Sequence, residues 1–160
     1  MPTIKLTTFI ESSLEIVFDL SRSIDLHKIS TQKTDEEAIA GVTTGLIGLD
    51  EWVTWRAKHF GMYQKLTSKI TTFDRPYSFT DEMVKGIFKS FKHQHNFKKT
   101  GNRVEMTDIF EYKSPFGIFG KLADTLFLES YMKNLLEERN QVIKEFAESE
   151  KWKMVLEKEI

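Results

Sequence analysis

The sequence contains no cysteine, so it can form no disulfide and offers no thiolate chemistry. It also lacks an excess of charge of either sign. Its 23 Lys and Arg face 24 Asp and Glu, and a net charge of −1 provides no electrostatic attraction for nucleic acid. No apolar run reaches the ~18 residues of a membrane span, and the N-terminus has no apolar signal-peptide segment. We therefore expect a soluble cytoplasmic protein with no nucleic-acid partner and no membrane span.

The length of 160 residues predicts a single domain, residues 1–160, that is large enough to bury a proper core. Hydrophobic residues make up 40% of the chain, which is ordinary, but thirteen Phe and six Met are many for this size. Aromatic and methionine side chains fill cores, and they also line adaptable apolar cavities. Composition alone leaves both uses open.

The C-terminal part of the chain predicts one long helix, from Ile118 to about Glu150. At 1.5 Å per residue, roughly 30 residues form a rod about 45 Å long. An apolar stripe along such a rod must pack against something, and the preceding segments supply strands. The stripe consists of apolar residues at helical spacing, namely Leu122, Leu126, Met132, Leu135, Leu136, Val142, Ile143 and Phe146.

The rest of the chain predicts one strand, two short helices and then six strands. Residues Thr3–Ile10 alternate as a strand, Ser12 and Glu15 form a capping box for a helix ending near Ser21, and Ile24–Ile29 adds a helical turn. Gly86 is interpreted as a β-bulge, and Thr100-Gly-Asn as a hairpin turn. The later strands are Thr34–Leu49, Val53–His59, Lys65–Thr71, Ser78–Phe88, Lys89–Lys99 and Val104–Tyr112. The order β-α-α-β6-α indicates an α+β fold in which a curved sheet holds the long helix, with space between them.

Several short segments follow one another over nearly the whole chain: Ile10 with Val17-Phe18, Gly48 with Glu51-Trp-Val-Thr-Trp55, Phe60-Gly61, Phe79-Thr-Asp-Glu82, Gly86-Ile-Phe88, Phe91-Lys-His93, Met106-Thr-Asp108 and Ser114-Pro-Phe-Gly117. In this order and spacing they resemble the START/polyketide-cyclase (SRPBCC) superfamily. One departure is that Ser12-Ser13 stands where the family often has Ala-Pro before the first helix, and serine caps that helix equally well.

The resemblance implies a helix-grip fold, in which a seven-stranded antiparallel sheet wraps around the C-terminal helix and leaves a largely apolar cavity. Members of the superfamily bind lipids, sterols, polyketides or other hydrophobic molecules, and some catalyse cyclisation or aromatisation. The superfamily has no universal catalytic motif, so the resemblance assigns no catalytic residue to this chain.

The candidate chemistry lies in His93 and His95, which share one face of a predicted strand, with Asp108 on the inner face of a neighbouring strand. A histidine beside a carboxylate is a plausible acid–base pair near neutral pH. The same residues could instead form a satisfied polar network or provide polar contacts for a ligand. With a third histidine, such as His59, the pair could also ligate zinc, but the spacing is common by chance and we expect no metal or cofactor.

Three functions remain open, and the first is favoured. The first is a carrier or sensor for a lipid, sterol or polyketide-like molecule, and the second is a polyketide-cyclase-type enzyme using His93, His95 or Asp108. The third is an interaction protein whose cavity is filled by its own side chains.

An entrance to the cavity is predicted at 115–120. Three interpretations are open for Trp152, Val155 and Leu156: an extension of the helix, a contact between copies of the chain, or a C-terminal tail. The oligomeric state is therefore left open. The predicted ligand-binding residues are Trp55, His59, Phe91, His93, His95, Met106, Asp108, Phe110, Phe119, Leu128, Met132 and Leu136.

Overall fold

The structure is a computed structural model that describes residues 2–114, 122 and 127–157. Its strands are β1 (Thr3–Ile10), β2 (Glu37–Gly41), β3 (Trp52–His59), β4 (Met62–Asp74), β5 (Ser78–Lys85), β6 (Ser90–Thr100) and β7 (Arg103–Lys113). Its helices are α1 (Leu14–Ser21), α2 (Ile24–Ser30), α3 (Glu129–Ala147) and α4 (Trp152–Leu156), and a 3₁₀ turn at Gln32–Thr34 follows α2. In the described residues, no helix is both long enough and apolar enough to cross a membrane.

The strands form one seven-stranded antiparallel sheet, as the sequence resemblance implies, and their order in the sheet is β1-β7-β6-β5-β4-β3-β2. Because β3 to β7 follow one another as a meander, the β3–β4 turn, the β5–β6 loop and the end of β7 lie at one end of the sheet. The β4–β5 and β6–β7 turns lie at the other end. We call the first of these the cavity end, because the cavity described below reaches it.

The predicted strand at Thr34–Leu49 is much shorter in the structure, where β2 spans Glu37–Gly41 and Leu46 forms an isolated bridge with Ser23. Gly41 has a φ of +76°, and a Cβ placed there would lie 2.2 Å from the carbonyl oxygen of Trp52. Only glycine fits a backbone that turns this close to its neighbour, and the turn ends the strand.

Two local predictions are wrong. The cap of α1 is Ser13, whose Oγ accepts a hydrogen bond from the Ile16 amide at 3.3 Å, so the Ser12–Glu15 capping box does not form. Gly86 is not a bulge, because β5 ends at Lys85. A Cβ at Gly86 would lie 2.5 Å from Leu66 Cδ1, so a larger residue there would require the Leu66 side chain to shift.

Helix α3 packs its apolar stripe against the sheet and the two N-terminal helices. Its 19 residues span about 28 Å at 1.5 Å per residue. The predicted start at Ile118 lies outside the described residues, and α3 ends at Ala147 rather than Glu150. After a break, α4 packs against α1, with Val155 buried and Trp152 and Leu156 against the same core. These three residues therefore complete the core of their own chain.

Candidate functional site

A cavity of about 620 Å³ lies between the inner face of the sheet and α3. This volume falls within the range of small-molecule sites. The alternation of inward and outward residues in β3 and β6 predicts part of its wall. In the structure, Trp55, Ala57, His93 and His95 point inward and are buried. Many other wall residues are apolar and come from β4, β5, β7, α2 and α3, including Ile24, Ile70, Phe79, Phe110, Met132 and Leu136. The space is therefore mainly apolar.

Nine of the twelve predicted ligand-binding residues line this cavity, namely Trp55, His59, Phe91, His93, His95, Phe110, Leu128, Met132 and Leu136. Two others are buried elsewhere. Met106 is fully buried in the core beside Ser21, and Asp108 lies behind the histidines, where it is also fully buried. Phe119 and the predicted entrance at 115–120 lie outside the described residues.

One part of the cavity wall carries a buried group of polar side chains, which we call the polar floor: Asp81, His93, His95, Asp108, Arg139 and Asn140. Strand register brings its first four members together, because Asp81 pairs with His93 across β5 and β6, and His95 with Asp108 across β6 and β7. His93 Nε2 lies 2.8 Å from Asp108 Oδ1, and His95 Nε2 lies 2.7 Å from Asp81 Oδ1. Each histidine thus has a different carboxylate as its nearest partner, and His95 Nδ1 also lies 3.2 Å from Asp108 Oδ1.

Helix α3 completes the polar floor with two residues that the sequence-based prediction missed. The Asn140 amide donates to Asp108 Oδ2 at 2.7 Å. The Arg139 guanidinium donates to Asn140 Oδ1 at 3.0 Å and to the Ser21 carbonyl at 3.1 Å, and it lies 3.5 Å from Asp108 Oδ1. These bonds fix α3 to α1 and β7 through charged and polar groups with little exposure to solvent.

The two carboxylates of the polar floor remain ionised near neutral pH. Burial alone would raise the pKa of Asp108, but hydrogen bonds from His93 and His95 and the charge of Arg139 hold it well below the ordinary value. Burial would also raise the pKa of Asp81. The hydrogen bond from His95 outweighs this effect, so the pKa of Asp81 is lowered as well. Burial and the neighbouring His95 lower the pKa of His93, which favours a neutral imidazole.

These pKa shifts predict that the free energy of unfolding falls in two stages as the pH is lowered from 7. Below pH 6.5 the unfolded chain protonates its histidine at position 93, whereas folded His93 binds the proton less readily. The stabilising contribution of Asp81 and Asp108 is complete above pH 3.8 and is lost as the pH falls through their lower folded-state pKa values. Urea denaturation from pH 7 to pH 3 measures both stages. Stability that is constant or rising from pH 7 to pH 5 would contradict the first stage. A His93→Gln variant should show a smaller first stage, and His59, whose pKa burial also lowers, should account for what remains.

A second polar group lies on the cavity wall towards the cavity end. His59 Nδ1 lies 2.6 Å from the Tyr131 hydroxyl, and burial lowers the pKa of His59. His27 lies 3.0 Å from Glu36, with its ring centroid 4.4 Å from that of Trp55. A ligand in the cavity would therefore have polar contacts available at both ends and apolar contacts between them.

The described residues contain one group with the donor atoms for a metal ion, namely Asp81, His93 and His95, whose donor atoms lie within 4.8 Å of one another. The third member is thus a carboxylate, whereas the sequence suggested a third histidine; His59 instead bonds Tyr131. His95 and Asp81 already bond each other, and His93 bonds Asp108. The polar groups are therefore satisfied within the protein itself.

No protein-family model matches the sequence, and no curated protein is significantly similar to it. Solved structures are similar in fold. TTHA0849 from Thermus thermophilus has a TM-score of 0.74 at 18% identity, covering 90% of this chain and 95% of its own. Major latex-like protein 151 from Panax ginseng has a TM-score of 0.66 at 17% identity, covering 91% and 97%. CV1439 from Chromobacterium violaceum has a TM-score of 0.69 at 8% identity, covering 92% and 97%. The chain therefore shares its fold with these proteins, and it is the helix-grip fold that the sequence resemblance implies.

Proposed function

We propose that this protein is a carrier or sensor that binds a hydrophobic small molecule in the cavity between the sheet and α3. The observation that carries the proposal is the cavity itself, with about 620 Å³ of space and mainly apolar walls. A protein that filled this space with its own side chains would leave no such volume, so the cavity disfavours a purely structural role. Burial of apolar ligand surface would contribute about 25 cal/mol per Å² before the costs of association.

The polar floor supports a ligand with one polar end that donates hydrogen bonds, such as the hydroxyl of a lipid, sterol or polyketide-like molecule. Asp81 faces the cavity, and its side chain is 18% exposed, compared with 1% for Asp108. An ionised carboxylate accepts hydrogen bonds and has room for more than the one from His95. The N–H groups of Arg139 already bond Asn140 and the Ser21 carbonyl.

The cysteine-free composition supports the cytoplasm as the compartment in which the protein works.

Native mass spectrometry and solvent extraction of the gently purified protein test this function. We expect a co-purifying hydrophobic compound that is lost from Met132→Trp, because the indole would occupy the cavity beside α3. The matched control is Met154→Trp, since Met154 is 63% exposed and does not line the cavity. Equal ligand content in both variants, or no ligand and no saturable binding of an apolar dye such as anilinonaphthalene sulfonate, would refute the proposal.

A polyketide-cyclase-type activity is the second candidate, and one geometry favours it. His93 lines the cavity, is held by Asp108 at 2.8 Å, and has a lowered pKa that keeps its imidazole neutral. Such a base could take a proton from the carbon beside a ketone and return it to the alkoxide that forms on aldol ring closure. His93→Gln should then abolish turnover of a bound polyketide without releasing it. In a simple carrier, the same change should alter affinity by about 1–3 kcal/mol.

A further inference from the structure

Large apolar side chains are exposed together at the cavity end of the sheet. Phe60 and Met62, at the β3–β4 turn, are 60% and 67% exposed. Ile87 in the β5–β6 loop and Phe127 just before α3 are 42% and 54% exposed. All four also line the cavity, so they surround its opening at this end, and we call them the apolar rim. Grouped apolar exposure around a cavity is typical of an interaction surface.

Turn stability does not account for the aromatic residue at Phe60, whose partly exposed ring packs beside those of Phe127 and Tyr131. His59 pairs with Met62, so Phe60 and Gly61 form a two-residue hairpin turn, with φ values of +53° and +77°. Turns of this kind favour Asn-Gly, because a bulky residue is disfavoured at positive φ. Phe60 therefore accepts an unfavourable backbone conformation while leaving most of its ring in solvent.

Basic side chains flank the apolar rim. Lys58 precedes the β3–β4 turn, Lys85 and Lys89 bracket the β5–β6 loop, and Lys113 ends β7, and all four are exposed. The chain as a whole has a net charge of −1, so this concentration of lysine is local. Among acidic groups at the same end, Glu129 is exposed at the start of α3. Of the other acidic groups that the structure describes near this end, Glu111 is half-buried in β7 opposite Lys92. Three more lie at the β2 edge with partners: Asp35 with Tyr63, Glu36 with His27, and Glu37 with Arg56.

We propose that the cavity end docks on an anionic lipid bilayer, with the apolar rim inserted at the level of the acyl chains and the four lysines against the headgroups. Apolar tips surrounded by long basic side chains match this interface, because lysine attracts anionic lipid while its alkyl stem stays beside apolar neighbours. The opening of the cavity then faces the bilayer. A hydrophobic molecule can pass between membrane and cavity without crossing water.

Vesicle co-sedimentation of the full chain tests the charge component. We expect binding to vesicles of 70% phosphatidylcholine and 30% phosphatidylglycerol that weakens at high salt, and little binding to pure phosphatidylcholine. The double variant Lys85→Glu/Lys89→Glu should bind at least 10-fold more weakly. Its matched control, Lys98→Glu/Lys99→Glu, makes the same charge change at exposed positions beside the β6–β7 turn, at the opposite end, and should lose less than 2-fold. Equal losses in the two variants, or no binding of the unmodified protein, would overturn the proposal.

A Phe60→Asn variant tests the apolar component and separates docking from folding. Asparagine suits the positive φ of this turn, so thermal stability should be retained while vesicle binding falls about 10-fold. Tyr77→Asn is the control, because Tyr77 is 56% exposed in the β4–β5 turn at the opposite end. Unchanged vesicle binding by Phe60→Asn would overturn the proposal. So would self-association of the protein that this variant abolishes, because the rim would then be a contact between copies.

Discussion

Asp108→Asn is expected to destabilise the folded protein by about 3–5 kcal/mol at pH 7, because it removes the charge that the buried floor of the cavity is built around. The Asp108 side chain is 1% exposed, and it accepts from His93 and from Asn140 while lying 3.5 Å from Arg139. An asparagine in its place would turn one accepting oxygen into an N–H₂ donor facing other donors. Arg139 would keep its charge without the nearby carboxylate.

Urea denaturation at pH 7 measures this change, and Asp50→Asn is the matched control. The Asp50 side chain is 75% exposed and lies 3.8 Å from Lys69, so its replacement should alter the free energy of unfolding by less than about 0.5 kcal/mol. A loss of under about 1 kcal/mol for Asp108→Asn would mean that water or another residue takes over its role. The measurement therefore distinguishes a tightly coupled network from a hydrated set of polar groups.

The sheet was predictable because its signal is local. In β6, a single alternating run places Phe91, His93, His95 and Phe97 on one face, and all four are buried in the structure. The period of two also fixed which residues of β3 face the cavity. By contrast, the boundaries of the Thr34–Leu49 segment depend on how Gly41 approaches Trp52, which is a contact that the sequence pattern does not encode.

Only half of the polar floor was predictable from the sequence. The periodicity of a strand or helix shows which face a residue lies on, but it does not show which residue it bonds. His93, His95 and Asp108 were found, whereas Asp81, Arg139 and Asn140 were missed. A signal existed for two of them. Asp81 lies two residues after the inward-facing Phe79, and Arg139 lies three residues after Leu136 and four before Ile143, on the apolar stripe of α3. A charged residue on an apolar face indicates a buried partner. The identity of that partner followed only from strand register and helix placement.

The polar floor is supported from behind by an aromatic cluster around Phe18 of α1. The ring of Phe18 lies edge-on to those of Phe73, Phe79 and Phe97, with centroids 5.4, 5.3 and 5.3 Å away. Phe79 in turn stacks on His95, with ring centroids 4.1 Å apart and planes 14° from parallel. The fully buried Phe18 therefore joins the first helix to the strand positions that hold the candidate site.

Phe18→Ala is expected to destabilise the protein by about 3–5 kcal/mol, because it removes a buried ring and leaves a void that three surrounding rings cannot fill without moving. Phe18→Leu retains most of the volume and should cost less than Phe18→Ala. Phe9→Ala is the surface control. Its ring is 39% exposed beneath Arg103, so the loss should stay near 1 kcal/mol. Because Phe79 would lose its support, Phe18→Ala should also shift the NMR signals of the His95 ring, whereas Phe9→Ala should not. Equal destabilisation by Phe18→Ala and Phe9→Ala would show that the aromatic cluster does not stabilise the fold in this way.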